Sequence, residues 1–293
     1  MSNAANLPRR PYGKTGIELS VIGFGGIVVT NEEQSMADRV VAEAVERGVN
    51  YFDVAPGYGN AEVKLGPALE PFRKDVILAC KTNMRDRAGA EEQFRNSLER
   101  LRTDYFDIYQ LHGIASVEKD VEPVFEKGGV MDMILERKKA GQIRHVGFSA
   151  HSHEAALAAL DRYDFESVLM PINFATQLKG HFGQTIMDRA LEKGAALLAL
   201  KAMARQHWSE GHPDRERFNK CWYEPIQDPE LAELALRWTL SQPVTAAIPP
   251  GNADLWRQAV EIGGRFKPIT PAEETYLKEQ AEPLNIIFEA VNA

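Results

Sequence analysis

One stretch decides the fold of this chain: Asn50-Tyr51-Phe52-Asp53-Val54-Ala55-Pro56-Gly57-Tyr58. An apolar run ends at the carboxylate of Asp53, and a Pro-Gly turn then leads to Tyr58. The run is short and is bounded by turn residues, so it predicts a buried β-strand. Because an unpaired carboxylate in a protein interior is costly, Asp53 requires a cationic partner elsewhere in the chain.

Two later strands also end in polar residues. The predicted strand 76–80 is followed by Lys81, and the predicted strand 107–111 is followed by His112. In a parallel barrel the strand ends share one face, where the loops that carry active sites begin. The sequence therefore predicts that Asp53, Lys81 and His112 converge, with Tyr58 on the loop after the first of these strands.

Strands and helices alternate along the chain. Apolar runs predict strands at 21–26, 50–53, 76–80, 107–111, 143–148, 167–172, 195–200 and 244–248. Periodicity and caps predict helices at 32–47, 60–69, 88–101, 121–140, 154–160, 183–193, 229–241 and 252–262. Strict alternation implies parallel strands with crossover helices, and eight regular units favour an α/β fold of the (β/α)8 TIM barrel type over an open doubly wound sheet. An N-terminal β-hairpin is predicted within 11–20 and a C-terminal extra helix at 271–289.

The domain boundaries follow from the same pattern. One domain is predicted to span residues 7–293, without an internal linker. Residues 1–6 are predicted to be a disordered N-terminus that contains a cloning remnant, Ser2-Asn3-Ala4, and that lacks the apolar core of a signal peptide. Residues 203–228 form the longest connection without periodicity, which predicts either a lid over a binding site or a surface excursion.

Composition narrows the choice of partners. The formal net charge of the 293 residues is -8, so no basic field favours nucleic acid or an anionic membrane. No apolar stretch approaches the ~20 residues of a membrane span. Two cysteines, Cys80 and Cys221, provide neither a disulfide framework nor a metal site, and they suit the reducing cytoplasm. His151-Ser152-His153 predicts a helix start, because a third metal ligand is missing.

The four polar residues suit the reduction of a carbonyl group. When hydride reaches the carbonyl carbon, negative charge grows on the oxygen and a proton must arrive there. Tyr58 is the predicted proton donor, and a nearby Lys81 ammonium is expected to lower the pKa of that phenol. Asp53 is expected to support the charge of Lys81, and a neutral His112 to orient the carbonyl oxygen.

From about residue 11 to residue 262 the chain resembles the aldo-keto reductase family. The matching motifs are Tyr12-Gly13-Lys14-Thr15-Gly16, Gly23-Phe24-Gly25-Gly26, Asn50 to Gly59, Lys81-Thr82, Ser97 to Leu101 with Asp104 to His112, and Gly141 to Ser149. The resemblance implies NADPH as hydride donor, with NADH possible, and a small-molecule carbonyl substrate. It carries the family's tetrad onto Asp53, Tyr58, Lys81 and His112.

The resemblance also implies the residues that hold the cofactor. They are Gly26, Ser149, Asn173, Lys201, Gly251, Asn252 and Arg257. Ser149 and Asn173 are expected to hold the carboxamide, although Leu169 replaces a glutamine of the family pattern, and Leu200 occupies the place of an aromatic ring. The helix start after Gly251 is expected to hold phosphate. Arg257, with help from Lys201, is expected to bind the 2′-phosphate of NADPH.

Two other functions are compatible with these residues. Lys81 could form a Schiff base in a barrel lyase, although Asp53 beside it should keep the amine protonated and non-nucleophilic. The chain could also be a nicotinamide-binding regulatory protein with little turnover, because its cofactor positions depart from the family pattern. The expected pocket walls are Ile27, Tyr58, Met84, Ile114, Phe174 and the loop with Trp208 and Trp222. The pattern leaves the substrate and the oligomeric state open.

Overall fold

Eight parallel strands form one sheet in the computed structural model, which describes residues 7–290. The strands are β3 (Phe24–Gly25), β4 (Tyr51–Asp53), β5 (Ile77–Thr82), β6 (Phe106–Ile114), β7 (Ile143–Ala150), β8 (Ser167–Pro171), β9 (Ala196–Leu200) and β12 (Ala246–Ile248). They lie side by side in this order. The two edges meet where Gly23 N donates to Ala247 O and Ala247 N donates to Val21 O, both at 2.9 Å. The predicted (β/α)8 barrel is confirmed.

Helices follow the strands and cover the outside of the barrel. They are α1 (Gln34–Glu46), α2 (Ala61–Leu69), α3 (Arg87–Arg100), α4 (Val130–Lys139), α5 (His153–Arg162), α6 (Phe174–Leu178), α7 (Gln184–Lys193), α8 (Pro229–Ser241), α9 (Ala253–Gly264) and α10 (Pro271–Ala281). The predicted N-terminal hairpin is present as β1 (Arg9–Pro11) and β2 (Glu18–Ser20), which pair antiparallel. Just after β1, the Tyr12 hydroxyl donates to Ser167 Oγ on β8 at 2.7 Å, so the hairpin is attached to the barrel interior.

Side chains of the barrel interior form a separate buried cluster. It comprises Tyr12, Leu19, Tyr51, Ala79, Ile108, Leu169, Ala196, Leu198, Ala246 and Ile248. Side chains alternate between the two faces of a strand, so Asp53, Lys81 and His112 share the inward face with Tyr51, Ala79 and Ile108 of their own strands. The interior below these three polar residues is apolar, and the polar residues are brought to one end of the barrel.

Three predicted elements have different bounds. The helix predicted at 121–140 is broken into a π-helical turn at Val117–Val121, a 3-10 turn at Pro123–Phe125 and α4, because Gly128 takes a positive φ of 77°. The terminal helix ends at Ala281 rather than 289, since Pro283 cannot continue it. The strand predicted at 21–26 is reduced to β3, and a 3-10 turn follows at Gly26–Val29.

The aperiodic segment contains structure that the pattern did not predict. Within 203–228, β10 (Ala204–His207) and β11 (Tyr223–Pro225) form an antiparallel hairpin. The indole N–H of Trp208 donates to Cys221 O at 2.9 Å and ties the intervening chain to this hairpin. The prediction of a lid therefore describes this segment better than that of a surface excursion, because its residues also line the cavity described below.

The ends of the chain are not part of this description. The predicted disordered N-terminus, residues 1–6, and the last three residues of the predicted domain, 291–293, lie outside the described residues. Within residues 7–290, none of the helices combines the length and the apolar character that crossing a membrane requires.

Candidate active site

The four predicted catalytic side chains meet at the carboxyl end of the barrel. Asp53, Tyr58, Lys81 and His112 line one cavity of about 210 Å³, which is called the mouth cavity below. Its other walls include Gly25, Ile27, Ser149, His151, Leu200, Lys201, Trp222, Tyr223 and Gly251. Residues from three successive strand ends and from the lid thus surround a single space, as the strand pattern predicts.

Asp53 and Lys81 form a buried ion pair. Lys81 Nζ donates to Oδ2 of Asp53, and both side chains are almost fully buried. The hydroxyl of Tyr51 donates to the same oxygen at 3.1 Å. The carboxylate therefore offsets the cost of burying the ammonium, as predicted for this pair.

Tyr58 lies at the cavity wall, on the turn that follows β4. Its backbone N–H donates to Ala55 O at 3.0 Å, and its ring packs edge-to-face on His112, with 5.7 Å between the ring centroids. Burial, followed by the negative charge of Asp53, raises the pKa of the Tyr58 phenol above its ordinary value. The expectation that Lys81 lowers this pKa is wrong, because the Lys81 ammonium is already paired with the carboxylate.

His112 is held in its neutral form. Burial, followed by the positive charge of Lys81, lowers the pKa of His112 to about 3. A neutral imidazole can donate one N–H to a carbonyl oxygen without carrying charge into the cavity. This is the protonation state that the predicted orienting role requires.

Two residues expected at the nicotinamide lie on adjacent strand ends. Ser149 lines the mouth cavity, and its Oγ accepts from Gly113 N at 2.8 Å. Asn173 begins α6, where its Oδ1 accepts from Thr176 N at 3.0 Å. Its Nδ2 is buried and has no hydrogen-bond partner among the described residues. An unpartnered amide donor at this place fits a carboxamide oxygen, because buried polar groups are normally satisfied.

A second, longer space continues from the mouth cavity. This outer cleft of about 740 Å³ shares Ile27, Tyr58, Lys220 and Gly251 with the mouth cavity and runs along the start of α9. A Cβ at Gly251 would lie 2.8 Å from Ile27 Cγ2, so a side chain at this point would narrow the passage. An extended molecule such as a dinucleotide fits the combined shape.

The phosphate-binding residues are only partly free. Asn252 lines the outer cleft, but its Oδ1 already accepts from the N–H groups of Asp254 and Leu255. Arg257 also lines the cleft, where its guanidinium contacts both oxygens of Glu43 at 2.9–3.1 Å and Asp254 Oδ1 at 3.1 Å. A 2′-phosphate at Arg257 would therefore compete with carboxylates.

Two predicted cofactor residues have other surroundings. Gly26 does not line either space; a Cβ there would lie 2.8 Å from Val54 Cγ2, so this glycine permits packing against Val54. The neighbouring Gly25 lines the mouth cavity instead. Lys201 lines the mouth cavity but not the cleft that contains Arg257, so it is not placed to share the 2′-phosphate.

Sequence reasoning missed the contact that connects the lid to the barrel. Lys220 Nζ donates to Val28 O at 2.8 Å and to Glu32 Oε1 at 2.6 Å, across the entrance shared by the two spaces. No periodicity marks Lys220, because it lies in the aperiodic segment. Three expected wall residues, Met84, Ile114 and Phe174, do not line the mouth cavity. Within residues 7–290, no group of three or more His, Cys, Asp or Glu side chains is placed to hold a metal ion.

Comparison with known proteins agrees with this geometry. A sequence model of the Aldo/keto reductase family matches residues 21–254. The chain therefore belongs to the aldo-keto reductase family of NAD(P)H-dependent oxidoreductases.

Individual relatives cover most of the chain. It is 27% identical over 277 residues to the uncharacterized oxidoreductase YqkF of Bacillus subtilis, covering 84% of this chain and 87% of the relative. It is 26% identical over 280 residues to L-galactose dehydrogenase of Arabidopsis thaliana, covering 84% of each. The holo form of aldo-keto reductase AKR11C1 from Bacillus halodurans superposes with a TM-score of 0.75 at 23% identity, covering 97% and 99% of the two chains. This likeness concerns the fold.

Proposed function

We propose that this protein reduces an aldehyde or ketone to an alcohol with a reduced nicotinamide dinucleotide, and that Tyr58 donates the proton. The observation that carries the proposal is the convergence of Asp53, Tyr58, Lys81 and His112 on one cavity that opens into a dinucleotide-sized cleft. The bound cofactor supplies the hydride. The chain itself orients the carbonyl and delivers the proton.

The proton transfer follows from the charges around the phenol. Because burial and Asp53 raise the pKa of Tyr58, the hydroxyl stays protonated at neutral pH and can donate a hydrogen bond to the carbonyl oxygen. The alkoxide that forms on hydride transfer is a stronger base than a phenolate, so the proton then moves from Tyr58 to the product. Neutral His112 donates a second hydrogen bond, and the Lys81–Asp53 pair fixes the local field.

The cofactor is held through its two ends. Asn173 Nδ2 and Ser149 are the proposed carboxamide contacts, and the chain from Gly251 to Asn252 borders the path of the phosphates. We assign the 2′-phosphate of NADPH to Arg257. Since Glu43 and Asp254 already pair with this guanidinium, the preference for NADPH is modest and NADH is used as well.

The substrate is a small carbonyl compound. The mouth cavity of about 210 Å³ suits a molecule of a few carbon atoms better than a large ring system. One similar protein is named for L-galactose, so hydroxylated aldehydes belong in the panel of trial substrates. The two cysteines are free and buried, which supports a cytoplasmic location as part of the proposal.

The Schiff-base lyase is disfavoured by the environment of Lys81. A nucleophilic amine needs a free lone pair and access to the substrate. The Lys81 side chain has no exposed surface, and its nitrogen donates to Asp53. The regulatory alternative has one observation in its favour, which is that an aliphatic Leu200 lines the cavity where the family pattern has an aromatic ring.

A labelled-cofactor assay tests the proposed function. The purified protein is incubated with NADPH or NADH deuterated at C4 of the nicotinamide, together with aldehydes, ketones and aldoses, and absorbance of the reduced nicotinamide is followed. The expected result is loss of absorbance and an alcohol that carries one deuterium at the former carbonyl carbon. Tight cofactor binding without turnover of any carbonyl would instead support the regulatory protein.

A further inference from the structure

Lys201 is a buried cation in the mouth cavity. It follows the last residue of β9, and only 7% of its surface is exposed. Its backbone has a φ of 64°, in the left-handed region that residues other than glycine rarely adopt. The side chain lines the same cavity as Tyr58 and His112, without being part of the proposed proton route.

The ammonium of Lys201 lacks an anionic partner. Its one polar contact among the described residues is with His151 Nε2 at 3.3 Å, and the rings of Trp222 and Phe288 lie 5.5 and 5.6 Å from Nζ. An ammonium has three N–H donors, so two of them have no acceptor within residues 7–290. For the contact to be a hydrogen bond, His151 must accept at Nε2 and carry its proton on Nδ1.

The other two lysines of this cavity are each paired with a carboxylate. Lys81 donates to Asp53 and Lys220 donates to Glu32. Burial lowers the pKa of Lys201 to about 8, so the amine is still mostly protonated at pH 7. The mouth cavity therefore holds one buried positive charge that no described side chain balances, which is a costly arrangement in the absence of an anionic ligand.

We propose that Lys201, supported by His151, binds a carboxylate on the substrate, so that the preferred substrates are short aldehydes or ketones that also carry an acid group. The proposal rests on the proposed function, because it places the carbonyl of the same molecule at Tyr58 and His112. A single ammonium beside a neutral imidazole matches a monoanion. Lys201 is absent from the wall of the outer cleft, which separates it from the proposed positions of the cofactor phosphates.

The position of the charge supports a short substrate. The positive charge of Lys201 is among the causes that lower the pKa of His112, so the two groups are close enough to interact through the cavity. The aromatic rings of Trp222 and Phe288 cover the ammonium on its other sides and restrict access by water. A carboxylate that reaches Nζ would thus be recognised where competition from water is reduced.

A matched pair of substrates tests the proposal. Values of kcat/KM are measured for 4-oxobutanoate and for its neutral methyl ester, with NADPH saturating. The wild-type protein is expected to prefer the acid at least tenfold, and Lys201→Met is expected to reduce this ratio to near one. Lys220→Met, which removes the other cavity cation with an exposed route, is the matched control and is expected to retain the ratio. Lys201→Gln serves as a second variant, with circular dichroism as the check of folding.

Three readouts separate this inference from its alternatives. An equal kcat/KM for acid and ester in the wild-type protein overturns the carboxylate site but leaves carbonyl reduction intact. A Lys201→Met variant whose KM for NADPH rises tenfold, with both substrates affected equally, overturns it in favour of a contact to cofactor phosphate. If neither compound is reduced, calorimetric titration decides: tighter binding of the acid that Lys201→Met abolishes supports the site, and equal binding overturns it.

Discussion

The ammonium of Lys81 and the carboxylate of Asp53 form an ion pair between the neighbouring strands β5 and β4, closed off from solvent at the barrel mouth. The strand register places Asp53 beside Ala79, and Lys81 lies two residues further along β5. Each charge is the main compensation for burying the other, so neither can be removed alone without a large cost.

Replacing Asp53 by Asn should therefore weaken both the fold and the reaction. An uncompensated buried ammonium costs about 3–5 kcal/mol of unfolding free energy, which urea denaturation at pH 7 measures. The control is Tyr51→Phe, which removes one neutral donor to the same oxygen and should cost only about 1 kcal/mol. Equal stability of the Asp53→Asn variant and the wild-type protein would contradict the assigned pairing.

Two histidines predict a loss of stability in acid. Burial is the main cause that lowers the pKa of both His112 and His151 to about 3, whereas an unfolded histidine titrates near 6.5. Below pH 6.5 the unfolded chain gains protons that the folded chain excludes. Their contribution to stability is thus complete above pH 6.5 and is lost as the pH falls toward 3.

Urea denaturation at pH 7.5 and pH 5.0 measures this effect. Each histidine should account for at most about 2 kcal/mol of the difference in unfolding free energy between the two pH values. In His112→Gln the difference should shrink by about 1–2 kcal/mol. His181 is exposed, so His181→Asn should leave the difference unchanged. A similar pH dependence in all three proteins would mean that His112 is protonated in the fold at pH 5.0.

Cofactor choice should depend on Glu43. Because this carboxylate holds the Arg257 guanidinium through both oxygens, Glu43→Gln should free the arginine for a 2′-phosphate. The ratio of kcat/KM for NADPH to that for NADH should rise about three- to tenfold, corresponding to one partly exposed ion pair. Glu46 is exposed on the same helix, and Glu46→Gln is the control. A ratio unchanged by Glu43→Gln would remove Arg257 from the cofactor site.

Lys220 should control how fast the cofactor leaves. Its two bonds, to Val28 O and to Glu32, hold the lid across the entrance shared by the mouth cavity and the outer cleft. Glu32→Gln keeps the length of the side chain but removes the charge, and it should accelerate cofactor dissociation roughly tenfold. Stopped-flow fluorescence of bound NADPH measures this rate, with the exposed Lys127→Met as a control. Identical dissociation rates would mean that the lid does not cover the bound cofactor.

Local patterns were sufficient to predict the barrel and the convergence of four polar side chains. The alternation of faces along a strand fixes Asp53 and Lys81 inward once Tyr51 and Ala79 are inward. The break in the helix predicted at 121–140 was missed because apolar spacing continues through Gly128, whose positive φ ends the helical path. Boundaries thus depend on single backbone conformations that periodicity does not reveal.

Pairings between distant segments could not be predicted. Glu43 and Arg257 are 214 positions apart, and Lys220 and Glu32 are 188 positions apart. Neither pair has a local pattern, since each depends on how helices and the lid pack around the barrel. The direction of the pKa shift at Tyr58 was missed for a related reason: the charge of Lys81 acts on the phenol only to the extent that Asp53 does not neutralise it.

Single-turnover hydride transfer in Tyr58→Phe tests the central claim most directly. The variant keeps the ring that packs on His112 but lacks the hydroxyl, so it should bind NADPH with unchanged affinity while the rate falls at least 100-fold. Tyr223→Phe, which removes another hydroxyl from the cavity wall, should lose less than tenfold. A Tyr58→Phe protein that reduces its carbonyl substrate at the wild-type rate would contradict the assignment of Tyr58 as the proton donor.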